Sequence, residues 1–340
     1  MTTTTPQAKM RLRELVFGAA CAAAVRAAAQ LRVADALGEQ PMKVQELAQK
    51  VGADPRSLRR LLRALACYGV FTETDEDSYA HTDMSRQLRE DAPDSLHYIA
   101  LWCTEPWTWQ AWPRLEDAVR TGRSVFPELY GREFFDYLHS GEATESARVF
   151  DQAMTHSSRQ SAADLAGFLD LTGISSVVDI GGGQGQALAA LLTKHPTLRG
   201  TLLDLPQVVA QADPRLHPGG ELGDRASLVG GDCRDSIPVE ADLYLIKNIL
   251  EWDDDSTRRT LANVLAVARP GARVVVVENL VDDSPSMRFT TAMDLLLLLN
   301  VGGAKHTRES LLTLLAEAGL RVDGVRPVNP YLHAFEAQVP

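Results

Sequence analysis

Cysteine is scarce. Four residues in 340, Cys21, Cys67, Cys103 and Cys233, lie far apart, with no Cys-x-x-Cys pair and no Cys/His cluster at zinc spacing. This excludes a disulfide scaffold or a structural zinc as the basis of the fold, predicts no metal, and fits a reduced compartment. Long apolar runs are missing as well. A bilayer span needs about 20 apolar residues, whereas the leucine run Leu295–Leu299 is far shorter and the alanine-rich stretch Ala19–Ala29 is interrupted by Arg26. The segment Met1–Arg13 lacks the apolar core of a signal peptide, so a cytoplasmic protein with no membrane partner is expected. Excess positive charge is also lacking: a formal net charge of −11 argues against a general polyanion binder. What remains is ordinary globular chemistry, 45% hydrophobic and 23% charged, in a chain long enough for two domains.

The charge is unevenly placed. Residues 1–63 carry a net +6 and residues 64–340 a net −17, which raises the question of a nucleic-acid-binding head. After a Thr2–Thr5 run expected to be a disordered tail, Leu12–Leu37 reads as one or two helices with an apolar stripe. Val44–Val51 then reads as a short helix, Gly52-Ala53-Asp54-Pro55 as a turn, and Pro55–Cys67 as a second helix, with Asp54 as its cap and proline at its first position. That is helix-turn-helix spacing. Val70–Thr82 follows as short strands around Asp75-Glu76-Asp77, the wing of a winged helix. Arg56, Arg59, Arg60 and Arg63 share one face of the second helix and Leu58, Leu61, Leu62 and Leu65 another. A DNA reader needs such a basic face. Elsewhere the chain lacks basic and aromatic clustering, so a solvated or subunit-facing role is favoured and no nucleic acid is expected. Trp102, Trp107, Trp109 and Trp112 mark a further helical stretch.

From Ser176 the texture becomes alternating strand and helix, with apolar strands predicted at Val177–Ile180, Leu198–Leu203, Ala226–Val229, Asp242–Ile246 and Arg273–Val277. Such alternation predicts an α/β domain with a parallel sheet covered by helices on both faces. The first strand runs into Asp179-Ile180-Gly181-Gly182-Gly183-Gln184-Gly185, whose glycines let the backbone pass close to a ligand. Nineteen residues after Gly185, Asp204 closes the next strand, where a carboxylate can accept hydrogen bonds from both ribose hydroxyls. These two features leave nicotinamide cofactors and S-adenosylmethionine (SAM) both open. Gly230-Gly231-Asp232-Cys233 follows the third strand and supplies a carboxylate for an adenine amino group and a side chain for its ring. The loop spacing, G-x-G-x-G in place of G-x-G-x-x-G, favours SAM.

With these motifs in view, the chain resembles the plant-type or acetylserotonin-type SAM-dependent O-methyltransferases, in the bacterial branch that modifies aromatic natural products. Leu58-Arg59-Arg60-Leu61-Leu62-Arg63, Phe150-Asp151-Gln152-Ala153-Met154, Leu203-Asp204-Leu205-Pro206, Arg269-Pro270-Gly271 and Gly302-Gly303 carry the likeness beside the glycine loop. The resemblance implies a C-terminal Rossmann-like catalytic domain at 166–340, a helical linker at 101–165 contributing to the substrate pocket, and an N-terminal winged-helix domain at 1–100 through which two copies pair. It further implies that Asp179, Gly181, Gly183, Asp204, Leu205, Asp232, Cys233, Lys247, Asn248 and Ser158 surround the cofactor. Met154 matches a substrate-contacting methionine, with core filler as the alternative. Trp107, Trp252, Asp294 and Asn300 are further candidates for holding a small aromatic acceptor.

The resemblance breaks at the catalytic residues. The family carries His, then Asp or Asn, then Trp after Lys-x-x-Leu. This chain reads Lys247-Asn248-Ile249-Leu250-Glu251-Trp252, one residue short, and has no histidine between residues 218 and 305. Of the two glutamates that orient the family's histidine, Glu278 is present and the other is replaced by Lys305. Glu251 is a candidate base only if burial raises its pKa, and His306 or His156 are candidate helpers. Three readings follow. The first is methylation of a phenol or enol acidic enough to ionise, with proximity doing most of the catalysis. The others are SAM-dependent chemistry other than methylation (hydroxylation, decarboxylation or ring closure) and a SAM-responsive DNA-binding regulator.

Overall fold

The computed structural model describes residues 6–93 and 95–340, with Gln160 described by its backbone alone. The Thr2–Thr5 run lies outside the described residues. Chain contacts divide the protein into one unit of Met1–Pro106 with Arg148–His156 and a second of Trp107–Ala147 with Ser157–Pro340.

In the first unit the alanine-rich segment forms three helices, Pro6–Val16, Gly18–Gln30 and Val33–Leu37, where one or two were expected. The second break falls where Arg32 adopts a left-handed conformation, φ 54°, which ends the helical run before Val33. Arg26 interrupts the alanines because it is anchored, giving hydrogen bonds to the Leu101 carbonyl at 2.7 Å and to Glu105 at 2.9 Å. Helices Val44–Val51 and Pro55–Cys67 follow as predicted, and the Asp54 carboxylate accepts the Ser57 N–H at 2.8 Å to cap the second. Strands β1 (Met42–Lys43), β2 (Phe71–Asp75) and β3 (Ser78–His81) pair in the order β1-β3-β2 and supply the wing. Leu58, Leu62 and Leu65 bury their side chains beside Leu37, Leu47, Phe71 and Tyr79, each contributing roughly 1.5–3 kcal/mol of transfer free energy. On the opposite face Arg56, Arg60 and Arg63 are exposed, but Arg59 is ion-paired with Asp77 in the β2–β3 turn. One apolar surface is left uncovered: Met10, Leu12, Leu15, Val16 and Phe17 are each more than half exposed.

The second unit is built on seven strands, β4 (Ser176–Ile180), β5 (Arg199–Asp204), β6 (Ala226–Gly230), β7 (Leu243–Lys247), β8 (Arg273–Glu278), β9 (Arg321–Pro327) and β10 (His333–Gln338), in the order β6-β5-β4-β7-β8-β10-β9. The five from β4 to β8 are parallel, and β10 runs antiparallel to both β8 and β9. Central strands covered on both faces need apolar residues at every position, which is why β8 reads Val274-Val275-Val276-Val277. Their side chains alternate between two cores. Val178, Tyr244, Ile246 and Val276 join one, and Val177, Leu245, Val275 and Val277 join the other. The strand order reverses at β4, whose neighbours are β5 and β7. In an open parallel sheet the crevice at such a switch point, outside the carboxyl ends of the strands, is where ligands bind.

Candidate active site

The carboxyl ends of β4, β5 and β6 carry the glycine loop and two aspartates. Gly181, Gly183 and Gly185 all have positive φ, so the loop turns in conformations that side chains resist. A Cβ placed on Gly183 would meet nothing within 4 Å, which leaves that part of the loop open to a ligand. Gly183 also gives its N–H to the Asp204 carboxylate at 2.7 Å, and Leu205 gives its own at 2.7 Å. Burial nevertheless pushes Asp204 up to about 6 against the pull of these two donors. Hydroxyl donors from a ligand would favour its charged form. Beneath the loop, Asp179 is buried with one carboxylate oxygen unpartnered among the described residues, and burial raises it to about 7 although Lys247 opposes the shift. Burial also pushes Asp232 up, but hydrogen bonds from Arg234 outweigh it and hold the acid below its usual value. The Cys233 thiol is buried and pushed up to about 12, so it is an inert apolar group at ordinary pH. This set fits an adenosine-bearing ligand: a backbone cradle without side chains, a carboxylate at each of two strand ends, and an apolar side chain beside the second.

The ends of β7 and β8 hold a different kind of chemistry. Lys247, the last residue of β7, directs its ammonium to Ser158 Oγ at 3.4 Å, and burial lowers its pKa against the opposing charges of Asp179 and Glu278. Asn248 then takes a left-handed conformation, φ 53°, giving its N–H to the Val277 carbonyl at 2.9 Å. This turn carries Leu250 back so that its N–H meets Glu278 Oε1 at 3.3 Å. Glu251 follows, buried, and is ion-paired with Lys305; the two side chains are only 10% and 8% exposed. Glu278 is 1% exposed, and burial first, then the charge of Glu251, raises its pKa well above the usual carboxylate range. No donor reaches its Oε2 among the described residues. In the protonated form that these surroundings favour, Glu278 is itself the donor, to Glu251. Gly303 seals the arrangement, because a Cβ there would stand 1.8 Å from the Glu251 carbonyl oxygen.

The other predicted residues stand as follows. His306 gives its Nε2 hydrogen to the Leu250 carbonyl at 2.5 Å and its Nδ1 faces Ser310 Oγ at 3.5 Å, so both ring nitrogens are engaged within the chain. Asp294, on helix Met287–Val301, accepts the Lys305 backbone N–H at 2.6 Å. On the same helix Asn300 is buried with Oδ1 unpartnered among the described residues. Trp252 lies under the Arg234 guanidinium at 5.4 Å and meets Phe135 edge-on at 6.3 Å. Trp107 is buried against Phe126 and Phe134, its indole N–H unpartnered among the described residues. Met154 is half-buried on helix Thr144–Phe168, in the stretch belonging to the first unit. Sequence reasoning had not placed Arg234 in the site, and it had noted Lys305 as the replacement of an orienting glutamate without pairing it with Glu251. For Lys305 the signal was available, since an acid replacing a base and a base replacing an acid are complementary changes. No group of three metal-binding side chains occurs among the described residues.

Comparison with known proteins identifies the family. Residues 13–91 match the O-methyltransferase dimerisation domain and residues 112–321 the O-methyltransferase domain. The chain belongs to the O-methyltransferase family, in its bacterial branch, and is a SAM-dependent O-methyltransferase. A mitomycin biosynthesis 6-O-methyltransferase of Streptomyces lavendulae is 38% identical over 322 residues, covering 94% of this chain and 91% of the relative. The solved structure of the mitomycin 7-O-methyltransferase MmcR superimposes with a TM-score of 0.88 at 36% identity, covering 98% of each chain. An O-methyltransferase from neocarzinostatin biosynthesis, solved with SAM and 2-hydroxy-5-methyl naphthoic acid, gives a TM-score of 0.79 at 32% identity, covering 94% of this chain and 96% of that one. No helix among the described residues is long and apolar enough to cross a membrane.

Proposed function

We propose that the protein methylates an acidic hydroxyl of a flat aromatic natural product, with alignment rather than proton abstraction supplying most of the rate. The observation that carries this is the state of Glu251. It occupies the stretch where the family has its histidine, yet its carboxylate is already satisfied by the Lys305 ammonium and the Glu278 acid. Its carboxylate is therefore engaged within the protein before any acceptor arrives. His306 is also occupied. An acceptor that arrives ionised needs neither.

Bound SAM supplies an electrophilic sulfonium methyl, which an acceptor oxygen takes while the sulfur leaves as a neutral thioether. The backbone of Gly181 and Gly183 is assigned to the methionine and ribose portions of the cofactor, and Asp204, held by the Leu205 N–H, to the ribose hydroxyls. Asp232 and Cys233 are assigned to adenine. Lys247, Asn248 and Ser158 are assigned to the amino-acid end, and Asp179 to support beneath the loop. Trp107, Trp252 and Asn300 orient the acceptor through two aromatic faces and one amide. Methylation of an acceptor related to the naphthoate and mitomycin substrates of the relatives accords with these aromatic walls. Residues 1–100 pair two copies, residues 101–165 shape the acceptor pocket and residues 166–340 carry the cofactor, all in the cytoplasm. The exposed apolar face around Leu15, Val16 and Phe17, within the matched dimerisation domain, supports the pairing.

The test is a SAM-dependent screen of acidic phenols, hydroxynaphthoates and hydroxyquinones, with S-adenosylhomocysteine (SAH) and methyl ethers read by mass spectrometry. Production of both in equal amount is expected. Tight SAM binding with no SAH formed from any acceptor would sink the proposal.

A further inference from the structure

We propose that Arg234 is a positioning residue that couples the adenine end of the cofactor site to the aromatic wall for the acceptor, so that the two ligands bind cooperatively. The inference deepens the methyl-transfer reading above and rests on it. Asp232 and Arg234 follow β6 and Trp252 follows β7, and β5 and β4 lie between those strands in the sheet. One guanidinium spans the separation. Its Nε stands 3.0 Å from each Asp232 oxygen and its Nη2 2.6 Å from Oδ2, while the Arg234 backbone N–H meets Oδ1 at 2.8 Å. Its carbon lies 5.4 Å from the centre of the Trp252 ring. From Trp252 the ring contacts continue to Phe135 at 6.3 Å, from there to Phe134 at 5.0 Å, and on to Trp107 at 5.0 Å. The whole chain, from the acid assigned to adenine to the second tryptophan assigned to the acceptor, lies in the second unit.

Arg234 gives a donor to both Asp232 oxygens. An adenine amine reaches that carboxylate only by sharing an oxygen with the guanidinium, which loosens a bidentate hold whose strength depends on its fork geometry. The cation is then left to the face of Trp252, whose ring attracts it, and to the charge of Asp136, which acts on it from helix Phe134–Leu138. Trp252 is thereby pinned. The cation holds its face, Phe135 its edge and Gly303 its backbone, where an added Cβ would stand 2.8 Å from the Trp252 carbonyl carbon. A wall fixed before the acceptor arrives costs the acceptor less to order. Linkage makes the effect mutual, so the acceptor tightens the cofactor by the same factor.

The experiment uses the full-length protein with SAH and the fluorescent acceptor analogue 1-hydroxy-2-naphthoic acid, each titrated alone and in the presence of the other. In the wild type SAH should raise the affinity for the probe about tenfold, and the probe should raise that for SAH equally. Arg234→Met should bring this factor to within about twofold of unity, while the probe's affinity for the SAH-free protein stays within about threefold of wild type. SAH alone should bind that variant at least as tightly, because Asp232 no longer shares its oxygens. Arg234→Lys, which keeps the charge without the planar fork, should retain only part of the factor. Should Arg234→Met fold poorly, Phe135→Leu cuts the chain beyond Trp252 and must also lower it. A wild type in which neither ligand affects the other, a probe bound neither with nor without SAH, or an Arg234→Met protein that weakens both ligands separately and keeps the factor would overturn the proposal. Failure of the methyl-transfer reading is separable: wild type that makes no SAH from SAM with any acceptor would sink that reading, while the coupling between SAH and the probe still reports on Arg234.

Discussion

The two ends of one parallel sheet solve different problems. At the ends of β4, β5 and β6 the groups proposed to hold the cofactor come from continuous sequence and largely from backbone: a glycine loop, an aspartate receiving two N–H groups, and Asp232 with Cys233. At the ends of β7 and β8 the groups come from side chains distant in sequence, Glu251, Glu278 and Lys305, whose chemistry depends on being buried together. The first end departs little from the family pattern and the second has exchanged its charges. Backbone recognition of a fixed cofactor leaves little to vary, whereas a cluster of ionisable side chains can be rebuilt by paired substitutions as long as each buried charge keeps a partner.

The comparison breaks most severely at Gly303. Gly303→Ala forces a Cβ onto the Glu251 carbonyl oxygen, so the acceptor end must shift. Destabilisation of about 3 kcal/mol or more and loss of turnover are expected, while calorimetry should find SAH affinity within about threefold of wild type. Equal loss of both would show that the two ends are one unit energetically.

Next in size is the buried ion pair. Removing one partner leaves an uncompensated charge, so Lys305→Met should destabilise by about 3 kcal/mol in urea unfolding, and Glu251→Met, Lys305→Met should recover most of that. Additive losses in the double variant would mean the two residues act independently.

At the cofactor end, Asp204→Asn should weaken SAM binding about 100-fold, in keeping with the loss of charge-assisted hydrogen bonds. The cofactor-free wild type should also lose stability as pH rises. Burial raises Asp204 to about 6, above the value near 4 of an unfolded aspartate, so the folded state holds its proton to higher pH and stability falls as pH rises through that window. The loss should be about 1–3 kcal/mol in the wild type, measured as the difference in unfolding free energy between pH 4 and pH 8, and Asp204→Asn, which cannot titrate, should lack this contribution.

The smallest effect concerns His306. His306→Gln keeps a donor for the Leu250 carbonyl and should leave kcat/KM within about threefold, with an unchanged pH profile. A hundredfold loss with a flattened profile would restore a histidine base to the acceptor end.

Much of this molecule is legible in the chain. The Asp54 cap, the proline at the first turn and the buried Leu58, Leu62 and Leu65 follow from local rules, and so do the five parallel strands, because doubly covered strands must be apolar throughout. The antiparallel pair β9 and β10 was not anticipated. β9 lies at the sheet edge, where half-exposed residues such as Arg321, Asp323 and Arg326 blur the apolar signal. At the second end, the missing histidine was visible in sequence, as were Glu251, Glu278 and the substitution at Lys305.

The sequence by itself determined the cofactor end, since a glycine loop and the acids closing the next strands are set by neighbours along the chain. Only the tertiary structure decided that Glu251 and Lys305 are partners and that Glu278 faces them as an acid. Those facts depend on which side chains are excluded from water together, and that exclusion exists only once β7, β8 and the segment after helix Met287–Val301 have come into place.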